Sequence, residues 1–181
     1  MKPTLLMFAF GILIPLLTTL CGRAQESSLA HTRNEFSFTV DAPFEQVMPL
    51  FGADEERKWA EHWNPQFVYP TPARDREGMV FKIAHGDRTA TWINTAFNLS
   101  GGHVQYTYVL SDAMATLIDI HATREGAHKT SVKVVYERTA LIPEANEHVQ
   151  HFAKQDEGAG KEWQDAMNSY FARLRSSQTQ K

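Results

Sequence analysis

Residues 144–175 read EANEHVQHFAKQDEGAGKEWQDAMNSYFARLR. Val149, Phe152, Trp163, Met167, Tyr170, Phe171 and Leu174 recur at helical spacing and form one apolar stripe. A helix of this length cannot bury such a stripe by itself, so another layer of the chain must cover it. Gly158 and Gly160 interrupt the middle and are expected to bend the helix. Pro143 closes whatever precedes it, and residues 176–181 are expected to fray.

Upstream of Pro143 the period changes from helical to two. Glu35 to Asp41 alternates, with Phe36, Phe38 and Val40 on one face, and reads as a half-buried strand. Ala42-Pro43 punctuates it. Phe44, Val47, Met48 and Phe51 then suggest a short helix that Pro49 must shorten or kink. Asp54 is placed to cap a second helix running from Glu55 to about His62 and stopped by Pro65. Phe67-Val68-Tyr69 is a short edge strand between prolines. Five further strands follow, separated by Gly- and Asp-containing turns about a dozen residues apart, as in an antiparallel meander. The order is one strand, two short helices, six strands and one long helix. This is an α+β chain in which a curved antiparallel sheet wraps the C-terminal helix.

Residues 1–24 have the pattern of a secretory signal peptide: Lys2, an apolar run from Leu5 to Leu17, and Gly22-Arg23-Ala24 before Gln25. The run is short for a membrane span. Cys21 follows Leu20, which is larger than lipidation signals favour. Export to the periplasm or the extracellular space is therefore expected, with no stable membrane span after cleavage. Residues 25–34 are polar and small and read as a flexible leader, which leaves 35–175 as one domain. The whole chain carries 18 basic and 21 acidic residues and a net charge of −3, which offers no basic patch for nucleic acid. Its single cysteine lies in the signal segment. A cleaved form would have no disulfide, thiol nucleophile or cysteine metal site.

The segment from Phe38 to Val47, Phe-Thr-Val-Asp-Ala-Pro-Phe-Glu-Gln-Val, together with the strand meander and the terminal amphipathic helix, resembles the SRPBCC superfamily of START-related, polyketide cyclase-like proteins. The resemblance covers about Glu35 to Arg175 and implies a helix-grip fold. It also implies a cavity between sheet and helix that takes an apolar or aromatic small molecule. Function is not set by it, because proteins of one fold carry many activities.

Alternation independently nominates the residues that face the helix. Val104, Tyr106, Tyr108 and Leu110 share one face, as do Thr116, Ile118, Ile120 and Ala122, and Val132, Val134 and Tyr136. The opposite faces carry Gln105, Asp119, His121, Lys133 and Glu137. Trp92 falls on a strand with two mixed faces. Tyr106, Tyr108 and Tyr136 are either ligand contacts or core tyrosines. Arg138 continues an inward face and is either a rim arginine in solvent or a partner for a carboxylate-bearing ligand at a pocket mouth.

Trp59 and Trp63 are one helical turn apart and are expected to share a face, as a lid or as packed covering. Together with Trp92, Ile118, Ile120, Trp163 and Met167 these residues make up the expected ligand-binding set. No catalytic residue is assigned; for an enzyme, His62 or a buried tyrosine is the candidate acid or base. Asp119 and His121 share a strand face, but no third ligand stands at suitable spacing, so no metal site is expected. No nucleophile elbow, HExxH or dinucleotide motif appears, and no cofactor is expected. The expected function is a small-molecule binder. A cyclase- or hydrolase-like enzyme using the same pocket, or an interaction module using the Trp59/Trp63 face, are the alternatives.

Overall fold

A computed structural model describes residues 28–179. Residues 1–24, read above as a signal peptide, lie outside the described residues. Strand β1 (His31–Val40) is followed by helix α1 (Phe44–Val47) and two single 3-10 turns, Met48–Phe51 and Glu55–Lys58. Strands β2 (Gln66–Tyr69), β3 (Val80–His85), β4 (Arg88–Asn98), β5 (His103–Leu110), β6 (Met114–Arg124) and β7 (Thr130–Ala140) come next. A 3-10 turn at Pro143–Ala145 leads into helix α2 (Asn146–Thr179).

The seven strands form one antiparallel sheet in the order β1-β7-β6-β5-β4-β3-β2. This is the helix-grip fold. The meander β2–β7 places each strand beside its sequence neighbour, and β1 returns to pair with β7. β1 starts at His31, inside the stretch expected as a leader, because Thr32 and Asn34 pair with Arg138 and Tyr136. The sheet edges are β1 and the short β2.

Helix α2 packs chiefly across β1. Its side chains also occupy the free edge of that strand. Gln164 Oε1 accepts from the Thr39 amide at 3.2 Å, and Asn168 Oδ1 accepts from Asp41 at 2.9 Å. An open strand edge is thereby partnered within the chain.

The faces assigned by alternation are the buried ones. Val104, Ile120, Val132, Val134 and Met167 are each at most 1% exposed. The ambiguity of the Trp92 strand has a local cause. A bulge between Asn94 and Ala96 shifts the register, so Trp92 and Asn94 face inward before it and Phe97 pairs with Val104 after it.

The helix continues through Gly158 and Gly160, and on to Thr179, beyond the point where fraying was expected. Gly160 marks a close approach instead of an expected bend. A Cβ there would lie 3.3 Å from Phe36 Cβ and Cδ2. At Gly158 a Cβ would meet only the flexible Glu162 carboxylate, at 3.7 Å. Gly158→Ala is therefore expected to stabilise the protein by about 1 kcal/mol, a rise of roughly 2–4 °C in Tm. Gly160→Ala should give none of this gain, because the helix preference is spent against Phe36. Thermal unfolding of both variants checks the pair.

Candidate functional site

The segment after α1 is built differently from its expected form. Asp54 makes no side-chain cap, and only Glu55–Lys58 is helical. The carboxylate of Asp75 takes the capping role from 20 residues downstream, accepting from the Asp54 amide at 3.0 Å and the Glu55 amide at 3.3 Å. Gly52 makes room for it, since a Cβ there would lie 2.3 Å from Asp75 Oδ2. Trp59 already leaves helical geometry at φ −132°, and His62 is left-handed at φ 65°.

Trp59 and Trp63 therefore do not share a helix face. The Trp59 indole donates to the Leu50 carbonyl at 2.8 Å and packs on Phe51 and Trp163, with ring centroids 6.3 and 5.4 Å away. Trp63 donates to the Ala53 carbonyl at 2.7 Å and packs edge-on against Phe81 and Trp92. One tryptophan faces the helix and the other the sheet. Between them opens a cleft of about 460 Å³, walled by Trp59, Ala60, Trp63, Trp163 and Ala166, with Glu56, Glu61 and Glu162 also lining it.

Glu56 is the residue that the sequence hid. It sits in the charged run Glu-Glu-Arg-Lys at the start of the expected second helix, yet it is 6% exposed. Its carboxyl has no hydrogen bond or ion pair among the described residues. Burial pushes its pKa well above the ordinary 4.5, and the charge of Asp75 adds to the effect. An unpaired buried carboxyl beside aromatic walls is a functional-site feature with a stated physical cause.

His62, the expected acid or base, is 90% exposed beside the equally exposed Glu61 and does not line the cleft. The remaining expected contacts fall into three places. Trp92 and Tyr106 stand behind Trp63, and Tyr108 stacks on Trp92 at 4.1 Å. The Tyr106 hydroxyl donates to the Phe51 carbonyl at 2.7 Å, which makes it a structural tie. Burial, and then the Glu56 and Asp75 charges, push its pKa well above 10.0. Ile118, Ile120 and Met167 lie in the core.

Arg138 and Tyr136 occupy a third place, nearer the N-terminal half of α2. Arg138 was expected to await a ligand carboxylate, but the protein supplies one. Asp156 of α2 binds it with both oxygens, one of them 3.0 Å from Nη2. Burial lowers the Arg138 pKa, but the hydrogen bonds and charge of Asp156 outweigh it and hold the pKa up. The guanidinium also lies over the Tyr136 ring at 4.4 Å.

The centre between sheet and helix is filled by side chains. Trp163 packs against Phe36, Phe38, Phe51 and Trp59 there. A polar row nevertheless crosses the inner face, because Trp92, Tyr108, Thr116, Arg138 and Thr32 are register neighbours. Trp92 Nε1, Thr116 Oγ1, Arg138 Nε and Thr32 Oγ1 are buried and have no hydrogen-bond partner among the described residues. Such atoms are uncommon in folded proteins, and each usually costs about 1–3 kcal/mol. On the opposite face, the third group that sequence spacing did not supply beside Asp119 and His121 is His103, which pairs with His121 across β5 and β6.

No family model and no curated protein sequence matches the chain. Solved structures do, at the level of the fold. Norcoclaurine synthase from Thalictrum flavum, in complex with dopamine and hydroxybenzaldehyde, has a TM-score of 0.58 at 11% identity over 95% of this chain and 98% of its own. An uncharacterised protein from Rhizobium leguminosarum has a TM-score of 0.56 at 14% identity over 81% of this chain and 97% of its own. XoxI from Bacillus cereus has a TM-score of 0.54 at 18% identity, covering 76% and 95%. The chain thus has the fold of the SRPBCC, or Bet v 1-like, superfamily. Among the described residues, no helix is long and apolar enough to cross a membrane.

Proposed function

We propose that the protein binds an apolar or aromatic small molecule carrying a basic or hydrogen-bond-donating group, in the cleft between Trp59, Trp63 and Trp163. The observation that carries this is the Glu56 carboxyl, buried and without a partner. Three carboxyl groups line the cleft and its walls are tryptophans, a combination that favours a cationic aromatic ligand over an anionic one. The complex of norcoclaurine synthase with dopamine and hydroxybenzaldehyde is consistent in kind. A second reading, acid–base catalysis by Glu56 in the same cleft, is supported by its raised pKa and would show as turnover of the bound ligand. The surface expected for a protein partner is weakened, since Trp59 is only 8% exposed.

Quenching of tryptophan fluorescence by phenethylamine, phenylacetate and toluene tests the binding. Phenethylamine should bind and phenylacetate should not. Glu56→Gln should weaken the amine about tenfold or more, the scale of a hydrogen bond to a charged group. Equal binding of amine and carboxylate, or no effect of Glu56→Gln, would sink the proposal.

The same variant has a pH signature. The folded state raises the Glu56 pKa, so it holds the proton more tightly than the unfolded chain does. That stabilisation is full below the ordinary pKa of 4.5 and is lost as pH rises through the folded value. Urea unfolding should show Glu56→Gln gaining on the parent as pH rises from below 4.5 through the folded pKa. We also propose that residues 1–24 direct export and are removed, which N-terminal sequencing of the mature protein reads directly.

A further inference from the structure

We propose that His103, Asp119 and His121 bind a divalent transition ion of the zinc class on the face of the sheet opposite α2. The register sets the arrangement. His103 and His121 are cross-strand partners, and Asp119 lies two residues before His121 on the same face. The two imidazole rings stack at 4.5 Å and 7°. His103 Nε2 lies 2.7 Å from Asp119 Oδ1, and His121 Nε2 lies 3.1 Å from Asp119 Oδ2. One ligand atom from each residue falls within 4.8 Å of the others.

Tetrahedral zinc, at about 2.0–2.2 Å from each nitrogen or oxygen, needs ligand atoms about 3.3 Å apart. The two His–Asp separations run to different oxygens of Asp119 and are hydrogen-bond distances inside that spacing, so the ion would take the place of both hydrogen bonds, and only the approach of the two imidazoles remains to be adjusted. The exposed His121 ring can close what remains by side-chain rotation, since its side chain is 53% exposed. Two imidazoles and a carboxylate suit zinc, copper or nickel, whereas magnesium and calcium call for oxygen donors. Three protein ligands leave a position open to water or another small ligand.

The carboxylate is oriented from behind. Gln105 Nε2 donates to Asp119 Oδ1 at 3.1 Å, and Thr95 Oγ1 donates to Gln105 Oε1 at 2.9 Å. Such a second layer of hydrogen bonds fixes metal ligands and tunes their affinity. All three ligands stand on the adjacent strands β5 and β6, so the backbone holds them side by side. It is independent of the cleft at Glu56.

Calorimetric titration of zinc chloride into chelator-treated full-length protein tests the proposal. One equivalent should bind with a dissociation constant in the micromolar range or below, and magnesium chloride should give no heat. His121→Ala and Asp119→Asn should each weaken zinc binding about 100-fold, and Gln105→Leu about tenfold. Unchanged Tm in His121→Ala shows that the loss comes from the ligand and not from unfolding. A double variant, His148→Ala with His151→Ala on α2, should bind zinc as the parent does. The proposal is overturned if zinc does not bind, or if His121→Ala and Asp119→Asn bind as tightly as the parent. Loss of binding in the α2 double variant alone would place the ion elsewhere and overturn it equally.

Discussion

Asp156→Ala is expected to destabilise the protein by about 3–5 kcal/mol, a fall of roughly 10 °C in Tm. Arg138 is 4% exposed, and its guanidinium cannot shed its proton. Without Asp156 it would be a buried charge held only by the Tyr136 and Phe152 rings, since its Nε has no hydrogen-bond partner. Removing the other partner should be milder. In Arg138→Met the orphaned Asp156 can take up a proton, and the loss should shrink as pH falls. Replacing both, as Arg138→Met with Asp156→Leu, should recover most of the stability, because a buried ion pair contributes little net against well-packed apolar groups. Urea unfolding of the three variants measures this cycle. A cost below about 1 kcal/mol for Asp156→Ala, the range of exposed pairs, would contradict the buried geometry.

Trp59→Ala should cost a similar amount, about 3–5 kcal/mol, and Trp63→Ala distinctly less. Trp59 is 8% exposed and bridges Phe51 and Trp163, so its removal leaves a void between the 48–51 turn and α2. Its indole also satisfies the Leu50 carbonyl, which would lose its partner. Trp63 is only half-buried and lies on the outer wall of the cleft. Were the two residues equivalent positions on one helix face, as their spacing suggests, both substitutions would cost alike. Unequal denaturation midpoints distinguish the two arrangements. Trp59→Phe separates packing from hydrogen bonding, and its cost should be limited to about 1–2 kcal/mol.

The cleft was partly legible before the fold was known. Trp59, Trp63 and Trp163 could be nominated because large aromatics in amphipathic patterns mark buried or binding faces. Glu56 could not. Its neighbours Glu55, Arg57 and Lys58 are charged, and the groups that share its surroundings, Glu162, Trp163 and Ala166 of α2 and the charge of Asp75, are distant in sequence. His62 drew attention by residue type alone, and the left-handed backbone there leaves it in solvent.

Local geometry explains what one dimension could settle. Side-chain direction repeats every two residues in a strand and every 3.6 in a helix, whatever lies opposite. The sheet order of a meander, the inward faces of β5, β6 and β7 and, apart from the exposed Leu174, the stripe of α2 were therefore determined by the sequence alone. Partners across elements were not. Asp156 reads as one of many polar residues on a helix until α2 sets it against Arg138. Asp75 becomes a cap, and His103 a companion to His121, only once turns and register bring them together. Such pairings depend on how separate elements stack, which no periodicity encodes, so the carboxyl in the cleft and the imidazoles on the outer face belong to the tertiary structure.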